Sequence, residues 1–132
     1  MLFLALTAAL AGPTQVAMAP MCAGPDAAIV AVNPFPPTRD GFAVLHFRVA
    51  VTVKNIGSRR QAFNTLDSVV MFQQDEKTDV KGLQPLRVGQ SQTVIFNFKR
   101  AAGTQRGSTN LRFHVTGSPD CNPANDTASI NI

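Results

Sequence analysis

The chain has 132 residues, enough for a single domain and a single core. Hydrophobic residues make up 45% and charged residues 15%, which is too apolar and too weakly charged for a disordered chain. The formal net charge of +4 comes with no tryptophan or tyrosine, and its basic residues fall in two separate groups, Arg59-Arg60 with Arg87 and Lys99-Arg100 with Arg106, neither with aromatic residues interleaved, so nucleic acid is not an expected partner.

Met1 to Ala11 is an uncharged apolar run, well short of the roughly 20 residues that span a bilayer but right for the core of a secretory signal. Small-x-small sites end at Ala11 and Ala19, so residues 1–19 are expected to be a signal peptide cleaved after 11 or 19, and residues 20–132 a single domain. No Lys or Arg precedes Arg39, so either the amino terminus alone supplies the positive charge or the start lies too far downstream. The competing reading is a buried N-terminal segment. Cys22 raises lipidation, but Pro20-Met21 before it matches such a site poorly.

Asp26 to Val32 reads as a first strand, ended by Asn33-Pro34-Phe35-Pro36-Pro37, where prolines cannot donate to a ladder. Phe42 to Lys54 follows, with Leu45, Phe47, Val49, Val51 and Val53 in strict alternation and Asn55-Ile56-Gly57-Ser58 as its turn. A third strand covers Val69 to Gln74, or starts nearer Ala62, with Asp75-Glu76-Lys77 as a polar turn, and Val80 to Leu86 reads as a proline-containing edge strand. Val88-Gly89-Gln90-Ser91 turns into Gln92 to Lys99, where Val94, Phe96 and Phe98 share a face. Leu111, Phe113 and Val115 do the same in the next strand, and Ala128, Ile130 and Ile132 in the last, Thr127 to Ile132. About seven short strands with Gly, Pro and Asn turns and no helical period predict an all-β fold, an immunoglobulin-like antiparallel β-sandwich with Greek-key connections.

Three stretches carry a resemblance: Val49 to Gly57 (VAVTVKNIG), Leu86 to Phe98 (LRVGQSQTVIFNF) and Asp120 to Ile132 (DCNPANDTASINI). Together they resemble the CARDB family, the cell-adhesion-related domains of bacteria, and bacterial immunoglobulin-like modules more broadly. The recurring features are Asn55-Ile56-Gly57 at a strand end, the Val88-Gly89-Gln90-Ser91 turn, and Asn122-Pro123-Ala124-Asn125-Asp126 before the last strand. The resemblance implies surface display, adhesion or an accessory role, with no shared catalytic site. It departs from true immunoglobulin domains in lacking the core tryptophan and tyrosine corner, so phenylalanine, present nine times, must fill the core.

Cys22 and Cys121 are the only cysteines, and with export inferred, the even count favours a disulfide. In a seven-stranded sandwich, the start of the first strand and the loop before the last strand share an end, which places both thiols there. His46 and His114 share parity with Arg48 and Arg112, so they are expected on opposite outer faces and not in a shared metal or catalytic site. No nucleophile elbow, phosphate loop or zinc motif occurs, so no enzyme activity, cofactor or metal is expected. Asp75, Glu76 and Asp79 read as a solvated turn rather than a calcium loop. Asn125-Asp126-Thr127 fits a sequon but reads as a turn and strand start.

Arg59 and Arg60, in the second loop, and Arg87, in the fourth, are expected at one end, with Lys99-Arg100 and Arg106 at the other. The expected function is a non-enzymatic, extracytoplasmic binding, adhesion-type or structural module, secreted, periplasmic or on the cell surface. It would engage a protein or envelope glycan through Arg59, Arg60 and Arg87. The alternative is a periplasmic assembly or chaperone-like factor acting through an edge strand. Lys81 and Pro85 count against it by protecting the strand expected at that edge.

Overall fold

The computed structural model of the chain describes residues 23–41, 44–101, 108–117 and 122–132. Its strands are β1 (Ala27–Pro34), β2 (Thr38–Arg39), β3 (Val44–Asn55), β4 (Ser68–Gln73), β5 (Glu76–Gly82), β6 (Ser91–Ala101), β7 (Asn110–Thr116) and β8 (Thr127–Asn131), with a 3-10 turn at Pro123–Asn125. All pairings are antiparallel. In the first sheet β3 is central, with β1 and then β2 along one side and β6 along the other. The second sheet has the order β5-β4-β7-β8. The two sheets form the immunoglobulin-like β-sandwich expected from the alternation.

The inward residues are those the period of two selects. Phe47, Val49, Val51 and Val53 of β3 are buried, as are Val94, Phe96 and Phe98 of β6 and Leu111, Phe113 and Val115 of β7. Four of the phenylalanines lie in the core as two ring pairs: Phe47 stacks on Phe98 at 4.7 Å, and Phe96 meets Phe113 across the sheets at 5.3 Å. Such aromatic pairs contribute about 1 kcal/mol beyond the area they bury. Ile29, Val32, Ile130 and Ile132 pack against this core along the side where β1 approaches β8.

Three expectations are corrected. The first strand does not stop at Val32: Pro34 lies opposite Val49, and Phe35 still donates to the Arg48 carbonyl at 2.9 Å. Pairing pauses only across Pro36-Pro37 and resumes in β2, because a proline at an outer strand gives up just its own donor. The fourth strand is Glu76–Gly82, not Val80 to Leu86. Gln74 and Asp75 both have positive φ, 52° and 66°, and make a two-residue hairpin that returns the chain at once, so Glu76 and Lys77 pair with Gln73 and Phe72. Thr78 is then the extra residue of a bulge between the Lys77 and Asp79 pairings. Leu83 and Leu86, freed from the ladder, are buried in the core. Lastly, Lys99 and Arg100 lie within β6 rather than in a loop, and Arg106 lies outside the described residues.

Candidate binding surface

One end of the sandwich is built around Asn55, the last residue of β3, which is fully buried. Its Oδ1 accepts from the backbone N–H of Asp26 at 3.1 Å and of Gly57 at 3.0 Å. Its Nδ2 donates to the Arg59 carbonyl at 2.8 Å and the Leu86 carbonyl at 3.0 Å. One side chain thus ties the approach to β1, the loop 56–67 and the segment 83–90 to the end of β3. Gly57 is required here because a Cβ would collide with the backbone of Gly24, Pro25 and Asp26.

A second buried amide extends the network. Gln61 Nε2 donates to Asp67 Oδ2 at 2.7 Å, and its Oε1 accepts from Leu86 N–H at 2.9 Å. Gln61 N–H in turn donates to the Leu86 carbonyl at 2.9 Å. Each such bond contributes about 1 kcal/mol net, whereas stranding one buried partner costs about 1–3 kcal/mol. The 83–90 segment ends in a turn in which Gln90 donates to the Arg87 carbonyl at 2.9 Å, with Gly89 at φ 81° in the third position, as a type II turn demands.

Above this rigid base the surface is apolar and basic. Phe63 is 93% exposed and Leu66 is 88% exposed, and Ile56 and Val88 are also exposed. Arg59, Arg60 and Arg87 are exposed in the same two segments, and no ion pair among the described residues engages them. Asp26 and Asp67, the nearby carboxylates, are buried, while the exposed acidic pair Asp75 and Glu76 sits at the opposite end. The structure therefore brings the three arginines to one end, and it adds Phe63 and Leu66, which the sequence reading did not single out. Cys22 and Cys121 lie outside the described residues. The described segments that follow them meet at this same end, where Asn125 Nδ2 donates to Asp26 Oδ2 at 3.0 Å and Ser58 N–H donates to the Gly24 carbonyl at 3.0 Å. The 3-10 turn itself is capped by Asn122, whose Oδ1 accepts from the Ala124 N–H at 3.3 Å, so the Asn125 amide ties the turn to the approach to β1.

A cleft of about 620 Å³ lies toward the other end. Phe47, Met71 and Phe98 supply its apolar lining, and Gln73, Thr78, Asp79, Asn97 and Lys99 are among its polar groups. His46 also borders it, with Nε2 held by Asp40 Oδ2 at 2.8 Å, whereas His114 is on the second sheet and its Nδ1 meets Thr127 Oγ1 at 2.9 Å. The imidazoles belong to different sheets and different networks. Asp79 is spoken for by its own neighbours, bonding Val80 N–H at 2.8 Å and lying 3.8 Å from Lys81 Nζ. Among the described residues no group of three or more metal-ligating side chains converges, and no helix is long and apolar enough to cross a membrane.

No family model matches the chain, and no curated protein matches it. Solved structures do. The CARDB domain of a Pyrococcus furiosus protein, in complex with di-metal ions, superposes with a TM-score of 0.59 at 18% identity, covering 87% of this chain and 92% of that one. A domain of a cell surface protein from Methanosarcina acetivorans gives a TM-score of 0.57 at 17% identity, covering 82% of this chain and 90% of that one. The sheet order, the alternation of the core strands and these two likenesses agree: the chain has a CARDB-like, immunoglobulin-type β-sandwich fold.

Proposed function

We propose that the chain is a non-enzymatic binding module that works outside the cytoplasm and engages an envelope protein or glycan through the end formed by 56–67 and 83–90. The observation that carries this reading is the pairing of an apolar, basic surface with a fully bonded buried base. Phe63 and Leu66 stand almost wholly in water at the end of the sandwich that also carries Arg59, Arg60 and Arg87, while Asn55 and Gln61 tie the backbone of that end together. Exposed large apolar side chains cost a monomer nothing in folding but favour burial against a partner, and the arginines add planar donors suited to carboxylates or sugar hydroxyls. The apolar run Met1 to Ala11, read as part of an export signal over residues 1–19, and the cysteine pair support an extracytoplasmic location.

Co-sedimentation of the mature domain with cell-envelope material tests this. Binding is expected in untreated material, and it should fall at least about tenfold for a variant carrying Arg59→Ser, Arg60→Ser and Arg87→Ser and for one carrying Phe63→Ser and Leu66→Ser, a loss of roughly 1.4 kcal/mol or more. Neither variant should lower the unfolding midpoint, since all five side chains are exposed. Loss after protease treatment of the envelope assigns a protein partner, and retention assigns a glycan. Unchanged sedimentation of both variants would remove this end from the binding surface.

A further inference from the structure

β6 runs along β3 on one side and has no strand on its other side among the described residues. The ladder fixes which of its backbone groups are free. The Arg48 carbonyl accepts from Phe35 and the Val44 carbonyl from Asp40, so the even-numbered residues of β3 direct their backbone groups toward β1 and β2, and the odd-numbered ones toward β6. In the register Phe47 opposite Phe98, Val49 opposite Phe96 and Val51 opposite Val94, the N–H and C=O groups of Thr93, Ile95, Asn97 and Lys99 point away from the sheet. An edge without proline or bulge is a template for another strand, and the one lysine in its outward-facing row, Lys99, sits near its C-terminal end, leaving Thr93, Ile95 and Asn97 uncharged. The strand whose Lys81 and Pro85 argue for edge protection belongs to the other sheet, and Pro85 lies beyond its end.

The cleft is an independent second feature at the same place. It borders β6 at Asn97, Phe98 and Lys99 and reaches Thr78 and Asp79 of β5, with Phe47 and Met71 in its lining. Leu83 and Leu86 fill the core nearer the Arg87 end, between the last residues of β5 and the first of β6.

We propose that β6 is the docking edge for an extended peptide of a partner protein, which adds to the first sheet through the backbone of Thr93, Ile95, Asn97 and Lys99 and places an apolar side chain in the cleft. The recognition is backbone pairing plus alternate side-chain pockets, so the peptide chemistry is an apolar residue at every second position. Lys99 is exposed and in no ion pair among the described residues, which favours an acidic residue facing outward beside it. A second copy of this chain is a poor occupant. The apolar side chains of its own β6, Val94, Phe96 and Phe98, are already buried in its own core, so edge-to-edge pairing leaves the cleft unfilled.

Selection from a random phage-displayed library of peptides about ten residues long, using the full chain as bait, tests the proposal. The recovered peptides should alternate apolar and polar residues. A synthetic copy should slow amide exchange at Thr93, Ile95, Asn97 and Lys99 and leave Val94 and Phe96 unchanged. Asn97→Pro removes one outward N–H and no bond to β3, so affinity should fall at least about tenfold with the fold intact. N-methylation of alternate peptide nitrogens should do the same with the protein unaltered, while the triple arginine variant should bind as before. Failure to recover peptides, binding that survives both Asn97→Pro and N-methylation, or binding lost in the arginine variant would each overturn the assignment to β6.

Discussion

At Asn55 a single amide meets two N–H groups and two carbonyls, and alanine would strand all of them in a buried site. Chemical denaturation of Asn55→Ala is expected to give a loss of about 3 kcal/mol or more, the upper range for a point substitution. The sequence made Asn55-Ile56-Gly57 legible as a turn, but not the hub, because the partners Asp26 and Leu86 lie 29 and 31 positions away. The same limit hid Phe63 and Leu66. Apolar residues in a loop read as core until burial is known, and a start of the third strand nearer Ala62 would have taken both in, whereas the strand begins at Ser68.

Among the elements, the β4–β5 hairpin carries the clearest local conflict between sequence and backbone. Two-residue hairpin turns of this kind favour Asn-Gly, yet Gln74 and Asp75 hold the positive φ angles. Asp75→Gly should therefore stabilise the domain by about 1 kcal/mol, measured as a higher unfolding midpoint, since the left-handed conformation costs a side chain roughly that much. This conflict is also why the hairpin was misplaced from sequence. Gln-Asp carries no turn signal, so the polar Asp75-Glu76-Lys77 cluster read as the loop. The strongly alternating strands were legible because burial on one face imposes the period, as at Val49, Val51 and Val53. β5 was not, because its burial pattern is nearly all exposed and gives no period to read.

Over the whole molecule the cysteines offer the largest single increment of stability still to be measured. We propose that Cys22 and Cys121 form a disulfide, since the described segments that follow them meet through Asp26 and Asn125. Intact-mass measurement of the exported protein should find no free thiol, and reduction should cost on the order of 4 kcal/mol in the chain-entropy account. Two equal masses before and after thiol alkylation without reductant would confirm the bond, and a gain of two alkyl groups would refute it. The sheet order carries a further consequence for mechanics. The polypeptide enters β1 beside Asn55 and leaves β8 beside Asn110, at opposite ends of the strands. Tension applied through those points runs parallel to the ladders β1–β3 and β7–β8, so it loads their hydrogen bonds in shear, all together, instead of peeling them one at a time.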